Sequence, residues 1–200
     1  MPDTQRARRR NAAATREAIL ASARVSFARS GYDGVGVREI AEGAGVTAML
    51  VNRYFGSKER LFAEVVAENI TTPRILIDKI TTQESDLAAF GQDVAAALVA
   101  NTTPGTRPLD GFLIMLRSAS SERAASIWRE QIERHHQKTL TALLPGNLAA
   151  ERAALILALI AGFQLMRQVI GISALASGDR VAVAQLLARV FQLLANGDRK

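Results

Sequence analysis

Val37-Arg-Glu-Ile-Ala-Glu-Gly-Ala-Gly-Val-Thr47, continued by Ala48-Met-Leu-Val-Asn-Arg-Tyr-Phe-Gly-Ser-Lys58, is the stretch on which the fold turns. Val37, Ile40, Ala41 and Ala44 recur on one face of a helix from Val37 to about Ala44. Gly45 breaks it, four residues after Ala41, where a chain reversing between two helices can need a positive φ. A third short helix is expected from about Thr47 to Phe55. Val46, Val51 and Phe55 can then reach a core shared with Ile40 and Phe27. Ala41 falls at the tight crossing, where a larger side chain would push the helices apart. Short helices with a glycine turn between the second and third describe a helix-turn-helix.

Upstream, Ile19, Ala23 and Phe27, with Leu20 beside them, make the apolar stripe of a helix from about Thr15 to Ser30. Gly31 suits its C-cap, and the run to Gly36 reads as a tight turn. Downstream, Ser57 is a good N-cap and Glu59 an acidic first-turn residue for a fourth helix. That helix carries Leu61, Phe62, Val65 and Val66 and runs to about Ile70. Thr71-Thr72-Pro73 predicts a kink or short break, with 75–80 continuing as helix. Further helices are expected at 86–101, 109–120, 122–144, 148–175 and 180–194. They are punctuated by Thr103-Pro-Gly105 with Pro108, Pro145-Gly-Asn147 and Ser177-Gly-Asp179. No segment alternates with period two, so the fold class is all-α. The expected organisation is a basic flexible arm over 1–14, a helix-turn-helix domain over 15–60, and a ligand-binding and dimerisation domain over 61–200.

Of 200 residues, 48% are hydrophobic and 22% charged, the composition of a globular chain. Cysteine is absent, which excludes disulfides, thiolate nucleophiles and thiolate metal sites. The net charge of +6 is concentrated: residues 1–60 hold 11 Lys/Arg against 6 Asp/Glu, the remainder 14 against 13. The first third therefore faces an anionic partner, either nucleic acid or a membrane surface. Arg6, Arg8, Arg9 and Arg10 read either as a solvated tail or as an arm on nucleic acid. No apolar core follows the N-terminal charges, unlike a secretory signal. The longest apolar run, Ala153 to Phe163, is eleven residues, short of the roughly 20 needed to span a bilayer. A cytoplasmic location follows as the expectation.

Residues 153–172 are apolar almost all round, which implies burial on every side. Val181, Val183, Leu186, Leu187, Val190, Leu193 and Leu194 add a second apolar face. A homodimer packing these helices against their own copies would bury both, since a two-fold interface needs one self-complementary patch.

Residues 15–62 resemble the DNA-binding domain of the tetracycline-repressor (TetR) family, through Val37-Arg-Glu-Ile-Ala, Ala-Gly-Val-Thr47 and Arg53-Tyr-Phe-Gly-Ser-Lys-Glu-Arg-Leu-Phe62. The resemblance implies a sequence-specific regulator, a repressor released from palindromic double-stranded DNA by a small effector. It places Thr47, Ala48, Met49 and Asn52 at base edges, and the Asn52 amide can pair bidentately with adenine. It places Lys58 on phosphate, beside a helix N-terminus. Arg38, Arg53 and Tyr54 are further phosphate candidates. The chain departs from the family where Asn52 replaces a frequent tyrosine, Tyr54 a frequent histidine and Leu50 a frequent threonine.

The resemblance also implies an effector pocket in the later helices. Its candidate lining is Phe90, Leu98, Phe112, Met115, Leu116, Trp128, Ile132, Phe163 and Met166. Gln92, Arg117, His135, Gln164 and Arg167 are the polar groups that could orient a ligand, taken to be small and largely hydrophobic. Arg167, a charge within an apolar helix, could instead pair with an acid at the dimer interface. The two DNA-reading heads of a dimer would have to match half-sites about 34–36 Å apart or a multiple of that. A ligand favouring another head separation would lower DNA affinity, with the fourth helix as lever and Pro73 as its bend.

Catalytic readings find little support. Glu133-x-x-His136 has the spacing of a helical di-metal site, but only one such pair exists. His135 and His136 point about 100° apart on a helix and cannot share an ion. There is no Gly-x-Ser-x-Gly, and Gly31, Gly34 and Gly36 are not followed by a phosphate-loop Gly-Lys. No enzyme, cofactor or metal is expected. The competing reading is a protein that coats DNA, or partners other proteins through its helices, without an effector; charge-only DNA binding would weaken steeply with salt.

Overall fold

A computed structural model describes residues 3–69, 87–103 and 110–197 of the chain. The expected break at Thr71-Thr72-Pro73, the 75–80 segment, Pro104-Gly105, Pro108 and the side chains of Arg6, Arg8, Arg9 and Arg10 lie outside the described residues.

The elements are α1 (Asp3–Ser30), α2 (Val37–Gly43), α3 (Ala48–Phe55), α4 (Lys58–Asn69), α5 (Phe90–Asn101), α6 (Asp110–Ser118) and α7 (Glu122–Ile132). A π-helical turn, π1 (Glu133–Gln137), leads into α8 (Lys138–Leu143), followed by α9 (Ala149–Gln164), π2 (Leu165–Ile170), α10 (Ser173–Ala176) and α11 (Arg180–Asn196). The fold is all-α, with no strand among the described residues. α1 starts at Asp3 and not near Thr15, so residues 3–14 of the expected flexible arm are helical. Arginine and alanine are strong helix formers, and the absence of an apolar stripe there does not stop a helix already begun from extending.

The chain packs as two compact units, Met1–Ile70 with Pro108–Gln131, and Thr71–Arg107 with Ile132–Lys200. This division differs from a boundary at residue 60: α4 and α6 belong with the first unit.

In the first unit α1 buries Ile19, Leu20, Ala23 and Phe27. Phe27, Tyr32 and Phe62 form an edge-packed aromatic cluster, with Phe27–Phe62 centroids at 4.9 Å and Tyr32–Phe62 at 4.8 Å. Each buried aromatic ring contributes on the order of 1.5–3 kcal/mol through burial. Gly31, at φ +68°, lies so close to α6 that a Cβ there would fall 2.3 Å from the Arg117 carbonyl oxygen. The Arg117 guanidinium donates to the Ala28 carbonyl, and the Tyr32 N–H donates to Ser118 Oγ at 3.0 Å. The turn after α1 is thereby fastened to the end of α6.

In the second unit α5 lies against α11, with Phe90, Val94, Leu98, Leu187 and Phe191 in a common core with Ile156, Ile160 and Phe163 of α9. Ala89, the N-cap of α5, makes no side-chain cap bond. Gln192 of α11 substitutes for one: its Oε1 accepts from Gly91 N–H at 2.9 Å and its Nε2 donates to Leu87 O at 2.8 Å. Arg152 is buried and closes the C-terminal end of α11. Its Nη1 donates to Leu194 O at 2.9 Å and Ala195 O at 3.0 Å, and its Nε to Asn147 O at 3.1 Å. A guanidinium is well matched to the terminal carbonyls of a helix.

α9 and π2 form one continuous helix, Ala149–Ile170, of 22 residues, with an 18-residue window of mean hydropathy 1.8, long and apolar enough to cross a bilayer by length and composition. The eleven-residue run understated this, because the helix continues through Gln164, Arg167 and Gln168. Ala153, Ile156, Ile160, Phe163 and the two arginines 152 and 167 are buried within the second unit. Gly171, at φ +74°, ends the helix inside the stretch expected to run unbroken to residue 175.

Candidate nucleic-acid interface

The interface is built around α3. Thr47 caps it in extended backbone, its hydroxyl accepting from Leu50 N–H at 3.4 Å. Ala44 N–H and Val46 N–H both donate to Ala41 O, at 3.2 and 2.9 Å, and Gly45 between them has φ +66°. This is the left-handed conformation that the spacing of Ala41 and Gly45 predicts. Val51 and Phe55 are buried, while Met49, Asn52 and Arg53 are exposed at i, i+3 and i+4. Met49 is 79% exposed, a long apolar side chain held in water beside an amide and a guanidinium. Ala48, Leu50 and Tyr54 are half-buried at the flanks.

Next in the chain, Gly56 ends α3 at φ +78° and the Ser57 hydroxyl accepts from Arg60 N–H at 3.3 Å at the start of α4. The Lys58 ammonium sits 4.2 Å from the centre of the Tyr32 ring, a cation–π contact that limits its freedom. Tyr32 in turn interacts with Glu59, which pairs with Arg123 at 3.5 Å. Burial raises the Tyr32 phenol above its ordinary pKa, with the neighbouring Glu59 charge adding to it. Bonds from its own backbone N–H and from the Ser57 hydroxyl hold the Glu59 carboxyl below the usual range. Tyr32 is the residue that sequence reasoning passed over; its signal was its place beside Gly31 in a turn that reads as connection only.

The basic residues of the unit divide in two. Arg16 pairs with Glu64 and lies over the Phe55 ring, Arg24 pairs with Glu68 at 3.0 Å, and Arg29 with Glu39 at 2.5 Å. These arginines brace α1 against α4 and α2. Arg38 and Arg53 are exposed and outside any ion pair among the described residues. An exposed, uncommitted guanidinium can neutralise phosphate without first breaking a protein contact.

The expected effector set is divided between the units. Phe112, Met115, Leu116 and Trp128 lie in the first; Phe90, Leu98, Ile132, Phe163, Met166 and Arg167 lie in the second. Phe90, Leu98 and Phe163 are core residues, whereas Leu116, Met166 and His135 are exposed. Arg117 is occupied with the Ala28 carbonyl, and Gln164 is buried. A groove of about 800 Å³ between α5 and α11 takes in Gln92 and none of the other residues in that set.

A three-helix unit presenting the outer face of a capped helix beside uncommitted arginines defines a helix-turn-helix DNA-binding protein. Comparison with known proteins agrees. Residues 19–65 match the bacterial regulatory proteins of the tetR family, and residues 88–194 match the tetracyclin repressor-like C-terminal domain. The chain is 34% identical over 110 residues to the HTH-type transcriptional regulatory protein RaaS of Mycobacterium tuberculosis. That match covers 54% of this chain and 47% of RaaS, so the chain spans about half the length of this relative. A TetR-family regulator from Streptomyces coelicolor superposes with a TM-score of 0.60 at 26% identity, covering 92% of this chain and 95% of that one. GusR of Salmonella enterica shares the fold, with a TM-score of 0.68 at 18% identity over 90% of this chain and 95% of its own. The chain belongs to the TetR family of DNA-binding transcriptional regulators, which are not enzymes.

Proposed function

We propose that this regulator acts as a cytoplasmic homodimer on a palindromic operator, as a repressor that a small, largely apolar effector releases. The observation that carries the DNA reading is the row Met49, Asn52 and Arg53, exposed on the face of α3 opposite buried Val51 and Phe55. In the major groove Asn52 pairs with adenine and Met49 packs on a thymine methyl, while Thr47 and Ala48 approach the neighbouring bases. Arg38, Arg53, Tyr54 and Lys58 hold phosphates and so fix register. The Tyr32 ring under Lys58 supports that role, since it orders a side chain that would otherwise lose rotamer freedom on binding.

Dimerisation through the last long helices is supported by their exposed apolar rows. Leu155, Met166, Val169 and Ile170 lie on one helix, and Leu186, Val190 and Leu193 on the other. Such rows are large for a monomer surface and suit a two-fold bundle. Effector release follows if the ligand binds better to a state whose two heads no longer match the half-sites.

Selection of sequences from a random DNA pool, at about physiological salt, tests the whole reading. A recovered palindrome with A·T pairs at matched positions in each half-site is the expected result. Binding without enrichment that vanishes as salt rises would leave only charge-driven coating of DNA.

A further inference from the structure

Arg167 is 1% exposed, the largest fully buried side chain among the described residues. Its Nη1 donates to Val99 O at 2.7 Å and Thr102 Oγ1 at 3.1 Å, and its guanidinium carbon lies 5.6 Å from the centre of the Phe163 ring. Its Nε–H is buried with no acceptor among the described residues. Among the described residues no carboxylate pairs with it. Burial, and then the nearby charge of Arg180, both push its pKa down from the ordinary value. A buried guanidinium without a counter-ion is costly to a fold, and a second cation beside it adds to that cost.

The wall in front of Arg167 belongs to the α5–α11 groove, because Val99, whose carbonyl accepts from Arg167, lines that groove. Ala96, Ala184 and Ala188 belong to its apolar lining, with Val99 and Val181. Arg180 and Arg189 line it too, and at nine residues apart they leave α11 on opposite sides of the row Val181, Ala184 and Ala188. Neither is in an ion pair among the described residues. The other polar lining is glutamine, with no Asp or Glu among the described residues; Asp93, one residue beyond Gln92 on α5, lies outside it. Leu186, Val190 and Leu193 point away from this row on α11, so the groove stays open if those three side chains are covered by a second copy.

We propose that the α5–α11 groove binds an organic monocarboxylate with an apolar body, its carboxylate at the Arg180 end and its body along Ala96, Ala184 and Ala188. Arg180 and Arg189 in the lining, with Arg167 behind Val99, supply a positive field with which no acid pairs among the described residues, and the alanine lining supplies a surface for hydrocarbon. This names the chemistry of the effector and rests, for its regulatory meaning, on the reading of the chain as an effector-released regulator.

Titration of the full chain without DNA, using decanoate and its neutral counterpart decan-1-ol, tests the site. Decanoate should bind about tenfold or more tightly than the alcohol, since a charge-assisted pair is worth on the order of one such step. Arg180→Ala should raise the decanoate Kd by about tenfold and Arg189→Ala by less than about threefold, with the alcohol indifferent to both. Ala96→Trp, on the exposed side of α5, should abolish binding of both, and circular dichroism of each variant verifies that the helices persist. Equal affinity for acid and alcohol, no decanoate binding, a larger effect of Arg189→Ala, or unimpaired binding to Ala96→Trp would each overturn the proposal. Because no DNA is present, failure here leaves the operator reading standing; ligand binding by a chain that enriches no DNA sequence would do the reverse.

Discussion

Asn52 and Arg53 are neighbours on an exposed helix face, yet they should do different work. An amide that pairs with one base edge discriminates, while a guanidinium on phosphate binds all sequences alike. Asn52→Ala should cost about 1–3 kcal/mol of discrimination at one operator position and leave non-specific affinity nearly unchanged. Arg53→Ala should weaken all DNA binding and reduce the slope of log K against log salt by about 1. Fluorescence anisotropy on matched and mismatched duplexes across a salt series separates the two, and interchanged behaviour would exchange the assignments. Leu148 is a different kind of residue-scale feature. It is the N-cap of α9 at φ +55°, 64% exposed, in a conformation that disfavours any side chain with a Cβ. Little burial is lost on its removal, so Leu148→Gly should stabilise the chain by about 0.5–1 kcal/mol, read as a higher denaturation midpoint.

Between elements, α5 and α11 approach closely at Gly91. A Cβ there would lie 2.3 Å from Ala188 O and 2.8 Å from the Gln192 Cβ, so α5 and α11 meet backbone to backbone. Helix propensity alone favours Gly91→Ala by about 1 kcal/mol. Overpacking against a backbone carbonyl costs about 1–3 kcal/mol, and it also displaces Gln192 from its bonds to Gly91 N and Leu87 O. The second effect wins, and the substitution should lower stability by about 1–2 kcal/mol in thermal denaturation. The element boundaries follow similar logic. Those of α2 and α3 were legible because Gly45, Thr47 and Gly56 act through local backbone conformation. The π-turns at Glu133–Gln137 and Leu165–Ile170 were not, because one extra residue in a turn leaves composition and apolar spacing almost unaltered.

For the whole molecule, the exposed rows of α9 and α11 set the expected assembly. Leu193 is 71% exposed and Leu186 62%, values hard to reconcile with a helix that stays unpartnered in water. Leu186→Glu with Leu193→Glu should convert dimer to monomer in analytical ultracentrifugation, since four like charges would then meet across a two-fold axis. The same variant should lose operator affinity while keeping its helical circular dichroism; a persistent dimer would move the interface elsewhere. The sequence by itself determined the all-α class, the helix-turn-helix and the burial of Val51 and Phe55 on α3, because each rests on spacing within about ten residues of chain. Only the tertiary structure decided the remainder. It joined α6 to the first unit through Gly31 and Ser118, and it spent Arg16, Arg24 and Arg29 on internal ion pairs while leaving Arg38 and Arg53 outside any ion pair among the described residues. It also buried Arg167 behind a groove whose two walls lie about ninety positions apart in the chain. Which charges are neutralised, and which cavities form, depend on contacts between distant residues, and no local pattern of side chains encodes those.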